Sequence, residues 1–251
     1  LGKLCRKAAM SFATTDVKRI SVTGKNLTDY LGIPHYSHDE AAKTDLIGVV
    51  NGLAWTQVGG EILPVEAGVM DGTGKLELTG NLGEVMQESC RAAMSCLRQR
   101  ASELGLPADF YKTKDIHIHF PEGAVPKDGP SAGIAITTAL LSALTGRAVC
   151  HDVAMTGEVT LRGRVLPIGG LREKTMGALR AGIHTVILPK ENEKDLEEID
   201  PEVRAKLHFV PVETVDAVFA AALVYAQPVQ PVHLDAAIAG TAEGGKRPVL
   251  C

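Results

Sequence analysis

The chain has 251 residues, with 26 Lys plus Arg against 30 Asp plus Glu, a net charge of −4. That excludes a strongly basic protein held to phosphates by bulk charge. Hydrophobic residues at 45% and charged residues at 22% exclude global disorder, and aromatics at only 4% mean a core built from Ala, Val, Ile and Leu.

The chain starts at Leu1 rather than Met, and residues 4–12 read as the last turns of a helix, so a fragment of a longer protein is expected. Residues 19–22 (RISV) are a strand candidate, and residues 26–31 (NLTDYL) a short helix closed by Gly32 and Pro34. Residues 35–45 are polar and aperiodic and read as a linker. From Ile47 the character changes: residues 47–55, 61–70 and 75–79 carry strand patterns divided by Gly59, Gly60, Gly72 and Gly74. Residues 84–104 form the first long helix, with Val85, Met86, Cys90, Ala93, Met94, Leu97, Ala101 and Leu104 in one apolar stripe ended by Gly105 and Pro107. Residues 115–120 (DIHIHF) alternate strictly, a strand with Ile116, Ile118 and Phe120 on one face.

A loop over 121–130 leads to a second helix over 131–144, ended by Gly146. Its uncharged surroundings, 129–146, have the length of a membrane span, but only Ile134, Ile136, Leu140, Leu141 and Leu144 are strongly apolar, so a buried helix is expected. Then come a strand over 153–156, a hairpin of 159–161 and 165–168 turning at Arg162-Gly163, and a helix over 171–180 with Gly182 as its C-cap. A strand over 185–188, a helix over 193–199, a strand over 207–212 and a helix over 214–225 with Asp216 in its first turn follow. From Gln227 the chain turns to Pro, Gly and Ala and reads as a disordered tail. The mixture is an α+β (mixed α/β) domain.

Cys5, Cys90, Cys96, Cys150 and Cys251 show no CxxC and no zinc spacing, and read as small buried hydrophobes of a reducing compartment. Cys90 and Cys96 fall on different faces of their predicted helix. His117 and His119 share one strand face, as a metal pair would need, but no third ligand stands out and a structural role is preferred.

The stretch PKDGPSAG, residues 126–133, holds the most chemistry. Ser131 sits between Gly129-Pro130 and Ala132-Gly133 at the start of an apolar helix, where small neighbours admit a substrate backbone and unpaired N–H groups favour an oxyanion. On spacing alone a plain helix N-cap is the preferred reading, since caps far outnumber nucleophiles. A G-x-S-x-G hydrolase elbow would need a preceding strand and a trailing acid and His, and the segment before Ser131 is a proline-bearing loop. A lysine base is the other option, and Lys174 is its candidate, early in a helix after Gly169-Gly170 and among Leu171, Met176 and Ala178. By composition alone Lys174 is a solvated helix lysine. Trp55 is equally core packing or a cleft wall.

The motif around Ser131 closely resembles the catalytic serine motif of the Lon protease family. Further blocks in family order are Gly52-Leu53-Ala54-Trp55-Thr56, Gly83-Glu84-Val85-Met86-Gln87-Glu88-Ser89, His117-Ile118-His119, Pro121-Glu122-Gly123-Ala124 and Met155-Thr156-Gly157-Glu158. Leu161-Arg162-Gly163 and Leu166-Pro167-Ile168-Gly169-Gly170-Leu171-Arg172-Glu173-Lys174 complete the set, and the resemblance spans roughly 48–225. It points to the ATP-dependent bacterial and mitochondrial branch.

The resemblance implies a Lon proteolytic domain of the ribosomal-protein-S5-domain-2-like type over 48–225. Residues 1–34 would be the end of an AAA+ helical lid, 35–47 a linker and 226–251 a tail. It implies Ser131 as nucleophile, Lys174 as general base and Thr156 orienting the lysine, with Asp128 and Glu158 in support. Trp55, Gly129 and Pro130 would line the substrate cleft, and no metal is required. The expected activity is a serine endopeptidase degrading unfolded, damaged and short-lived regulatory proteins, in the bacterial cytoplasm. The full-length protein would be a homo-hexamer; no membrane is expected as a partner, and no nucleic acid for this fragment. ATP and Mg would belong to its ATPase part, since this chain has no G-x-x-x-x-G-K-[ST]. The alternative is a Lon-like, non-proteolytic interaction or nucleic-acid-binding module, against which stands the presence of both Ser131 and Lys174.

Overall fold

A computed structural model describes residues 1–32, 44–56 and 59–224. Helices α1 (Gly2–Thr14) and α2 (Leu27–Leu31) come first and have no buried residues. Lys7 Nζ on α1 donates to the Asp29 carbonyl on α2 at 3.0 Å. Residues 19–22, expected as a strand, take no regular structure. A β-branched run pairs only where another strand accepts its backbone, and none does so here among the described residues. The expected linker falls mostly on 33–43, and the expected tail wholly beyond 224, outside the described residues.

Strands β1 (Leu46–Ile47), β2 (Val49–Thr56), β3 (Gly59–Asp71) and β4 (Leu76–Thr79) precede helices α3 (Glu84–Gln99) and α4 (Phe110–Thr113). Next are β5 (Lys114–His119), α5 (Gly133–Thr145), β6 (Ala148–Val149), β7 (Val153–Met155), β8 (Glu158–Val159) and β9 (Val165–Leu166). The last part holds α6 (Leu171–Arg180), β10 (Thr185–Pro189), a 3-10 helix (Lys190–Glu198), α7 (Pro201–Lys206), β11 (His208–Val212) and α8 (Val215–Ala222). Seven strands form one mixed sheet in the order β11-β10-β7-β2-β3-β5-β4, while β1 pairs with β6 and β8 with β9. The β2–β3 and β3–β5 pairs are antiparallel; β4–β5, β2–β7, β7–β10 and β10–β11 are parallel.

Strand alternation divides the core between the two sheet faces. Val65, Ile116, Ile118, Met155 and Ile187 pack on one side with the apolar residues of α3, α5 and α8. Leu53, Ile62, Ala154, Val186 and Leu188 pack on the other with α6 and the segment from Leu196 to Val203. Helix α5 is buried on every side from Gly133 to Ser142, as an all-round apolar helix must be. Thr137 and Thr138 satisfy their hydroxyls on the carbonyls of Gly133 and Ile134. Among the described residues no helix is long and apolar enough to cross a membrane.

Several boundaries differ from the periodic pattern. Helix α3 stops at Gln99, and Arg100 at its C-cap donates from Nη2 to both carboxylate oxygens of Asp216, at 2.8 and 2.9 Å. The last members of its expected stripe fall in the following turn, where Ala101 is buried and Leu104 half-buried. Cys90 and Cys96, on different faces, are both fully buried, because the turn at Gly163 covers the second face, near Cys96 Sγ. The helix expected over 193–199 is the 3-10 helix Lys190–Glu198, and α7, capped by Asp200 with Pro201 behind it, was not anticipated. Helix α6 is capped by Ala181, with Gly182 one position on at φ +81.

Candidate active site

The β5–α5 connection delivers Ser131. Gly129 takes φ 121, a left-handed conformation that favours glycine, and Gly133 N–H closes a turn on the Pro130 carbonyl at 3.1 Å. Helix α5 starts at Gly133 with Ala132 as its N-cap, so Ser131 is not the cap and its hydroxyl is free for other work. The segment before it is a loop, as the elbow of an α/β-hydrolase would not allow. A Cβ on Gly133 would lie 2.7 Å from Val159 N, so only glycine lets α5 press its first turn against the strand after Thr156. Gly157 N–H donates to the Ser131 carbonyl at 2.8 Å, and Ile134 N–H to the Gly157 carbonyl at 3.0 Å.

Lys174 comes from the first turn of α6 and is 1% exposed. Its Nζ donates to Thr156 Oγ1 at 3.0 Å, and Thr156 Oγ1 donates in turn to the Ser131 carbonyl at 3.3 Å. Burial draws the lysine pKa down from 10.5 to about 8. The solvated-lysine reading therefore fails. Thr156, itself fully buried, ties the serine segment to the amine.

Both Ser131 and Lys174 line one cleft of about 570 Å³. Its walls are Leu53, Ala54, Trp55 and Thr56 of β2, residues 61–64 of β3, the loop from Pro121 to Pro130 and the segment Pro167-Ile168-Gly169. Trp55 is 58% exposed and stands at the rim, its ring against Gly170, where a Cβ would meet Cδ1 at 2.7 Å. Strand β7 pairs with β2 only at Asn51 and Gly52, so the edge of Leu53 to Thr56 opens into the cleft.

Asp128 lines the cleft too, but its carboxylate Oδ1 accepts from Met86 N–H and Gly129 N–H, both at 2.9 Å. It caps α3 across the chain, because Gly83 at the N-cap has no side chain and a Cβ there would collide with the Asp128 carboxylate. Glu158 is half-buried on β8, outside the cleft lining. Sequence reading missed Asn192, buried, whose amide accepts from Ile168 N–H and donates to Ile168 C=O, both at 2.9 Å, pinning the 167–169 wall. His117 Nε2 and His119 Nδ1 share the Thr79 hydroxyl, at 2.8 and 2.7 Å. Among the described residues no group of three or more His, Cys, Asp or Glu side chains is arranged to hold a metal ion.

A serine hydroxyl before a helix N-terminus thus shares one cleft with a buried amine drawn toward neutrality, on a mixed α/β fold. The chain belongs to the family described as Lon protease (S16) C-terminal proteolytic domain, whose model matches residues 21–225. It is 58% identical over 209 residues to a Lon protease of Finegoldia magna, covering 83% of this chain and 27% of that protein. It is 55% identical over 224 residues to a Lon protease of Vibrio parahaemolyticus, covering 89% of this chain and 29% of that protein. Lon protease 1 of Bacillus subtilis is 56% identical over 224 residues, with the same coverages of 89% and 29%. The chain thus spans under a third of the length of these curated relatives.

Proposed function

We propose that this chain is the proteolytic part of an ATP-dependent endopeptidase that cuts unfolded, damaged and short-lived regulatory proteins with Ser131 and Lys174. The observation that carries the reading is the burial of Lys174 in the same cleft as Ser131, its amine held by the Thr156 hydroxyl. Neutral Lys174 takes the Ser131 Oγ proton as the oxygen attacks the scissile carbonyl. The oxyanion forms at the N-terminal end of α5, where backbone N–H groups and the helix dipole favour negative charge. The ammonium then passes its proton to the leaving amine, and water releases the acyl group with Lys174 again as base. Thr156 accepts one N–H of Lys174 and so aims the lone pair.

Trp55, Gly129 and Pro130 bound the groove, and the open edge of β2 pairs with an extended substrate backbone. Asp128 supports the site by fastening its loop to α3, and Glu158 by its place on the strand behind Gly133. Residues 1–34 form the end of an ATPase lid and 48–225 the protease domain, in a homo-hexamer of the bacterial cytoplasm. ATP and Mg act in the ATPase part and take no step at Ser131.

The test is hydrolysis of an unfolded protein and of a fluorogenic peptide by the parent, Ser131→Ala and Lys174→Ala. Both variants are expected to lose roughly a thousandfold or more. Parental cleavage should rise with pH through an apparent pKa of about 8, as Lys174 loses its proton. Cleavage surviving Ser131→Ala overturns the proposal.

A further inference from the structure

The loop over 121–130 carries the nucleophile to the cleft with no strand or helix of its own. Among the described residues its backbone makes one ladder-type pairing, the isolated bridge of Lys127 with Leu82, so side-chain bonds must do the rest. We propose that Lys127 is a positioning residue for Ser131, its ammonium serving as the hub around which this loop is folded.

Lys127 Nζ donates to the carbonyls of Glu122 at 2.7 Å, Val125 at 3.1 Å and Gly80 at 3.5 Å. An ammonium has three N–H donors and no acceptor, so three carbonyls use all of it. The Lys127 backbone is tied as well: its N–H donates to the Asn81 carbonyl at 3.0 Å and its carbonyl accepts from Gly83 N–H at 2.8 Å. Asn81 and Glu122 are the two non-glycine residues with positive φ among the described residues, at 59° and 62°. Each turns its carbonyl to Lys127. Left-handed backbone at such residues persists only where the surroundings over-determine it, and here both outliers converge on one residue: Glu122 on the Lys127 ammonium, Asn81 on its backbone N–H.

The charge is placed to do this. Lys127 is half-buried, and its partial desolvation lowers its pKa while the nearby Glu122 carboxylate opposes that shift. Carbonyl dipoles replace the lost water. The next residue, Asp128, fixes the loop to α3 with the opposite charge through Met86 N–H. Gly129, Pro130 and Ser131 follow directly. The loop is thus fastened at two adjacent residues of opposite sign, and the three positions after them deliver the nucleophile. Without the ammonium the Glu122, Val125 and Gly80 carbonyls lose their shared donor. The loop then relaxes, and Ser131 leaves its register with Thr156.

This rests on Ser131 being the nucleophile. The test compares the parent with Lys127→Met, which keeps the stem and removes the donors, and Lys127→Arg, which keeps the charge but spreads its donors in a planar fork. The readouts are the single-turnover acylation rate on a peptide ester, the KM for that ester, and thermal melting. Lys127→Met is expected to slow acylation roughly 10- to 100-fold with KM within about threefold, because geometry and not binding is lost. Lys127→Arg is expected to fall between Met and the parent, and it decides the question alone where Lys127→Met does not fold. Acylation within about twofold of the parent in a folded Lys127→Met or Lys127→Arg overturns the proposal, as does a loss carried wholly by KM. Ser131→Ala, run alongside, separates the two ideas: parental turnover surviving it sinks the nucleophile assignment, whereas turnover lost there and untouched at Lys127 sinks only the hub.

Discussion

Helix α6, which carries Lys174, sits backbone to backbone on β3. A Cβ at Gly177 would lie 2.5 Å from the Gly60 carbonyl carbon and 2.6 Å from its oxygen. A Cβ at Gly60 would lie 1.8 Å from the Glu173 carbonyl oxygen. The Arg180 guanidinium donates to the Gly60 carbonyl and holds the contact closed. In Gly177→Ala the obstruction is main chain, so no rotamer relieves it, and Gly60 is held in register opposite Trp55 on β2. Ordinary contact begins at 3.4 Å, so α6 must retreat by about 0.9 Å, and Lys174 one turn earlier goes with it.

Overpacking costs about 1–3 kcal/mol, while Ala in place of Gly in a helix returns about 1. The net loss of stability is therefore about 1 kcal/mol, too little to unfold the domain. A displacement of about 1 Å at a catalytic group costs on the order of a hundredfold in rate, nearly 3 kcal/mol, so the kinetic effect exceeds the stability effect. The assay is kcat/KM on a fluorogenic peptide together with thermal melting. Gly68→Ala is the control, on the same β3 with nothing within 4 Å of its Cβ, and should leave both unchanged. A Gly177→Ala protein within twofold of parental kcat/KM would refute the reasoning.

Lys174→Met should abolish cleavage yet stabilise the fold. Because the folded pKa lies at about 8 against 10.5, the unfolded chain holds more protons between those values and stability rises with pH across that window. Below pH 8 the full penalty of about 3 kcal/mol stands, less about 1 for the lost Thr156 bond, so urea melts should show the gain at pH 7 and its shrinkage by pH 10. A variant less stable than the parent at pH 7 would contradict this. Asn192→Ala leaves Ile168 N–H and C=O without their partner and should cost about 1–3 kcal/mol and raise KM as the 167–169 wall loosens; unchanged KM in a destabilised variant would deny the wall its role. Burial pushes the Cys90 thiol up to about 12 and raises that of Cys96, so iodoacetamide should label exposed Cys5 in native buffer and reach Cys90 and Cys96 only in denaturant. Labelling of Cys90 without denaturant, read by peptide mass, would contradict its burial.

Long periodic elements were legible because their pattern is local. Helices α3, α5 and α6 and strand β5 each repeat their apolar residues at the spacing their own geometry demands, whatever lies opposite. Short pieces were not. RISV at 19–22 has the residues of a strand and no strand partner among the described residues, and α7 went unread although Asp200-Pro201 is a start signal visible in the chain. At the candidate site, Ser131, Thr156 and Lys174, which the fold brings together, each stand in a contiguous motif carried whole in one short stretch.

What the chain alone determined, then, is the set of periodic elements and the chemistry available in the cleft: one serine before an apolar helix and one lysine after a glycine pair. Tertiary structure decided what each group faces. Lys174 became a buried amine because β2, β3 and the Thr156 segment closed around α6, and neither Gly60 nor Gly177 signals alone that the other will touch it. Asp128 became a cap for α3, and Lys127 gathered the carbonyls of Gly80, Glu122 and Val125. Such roles depend on which distant backbone arrives within 3 Å, a property of the closed sheet and its layers rather than of any window of the chain.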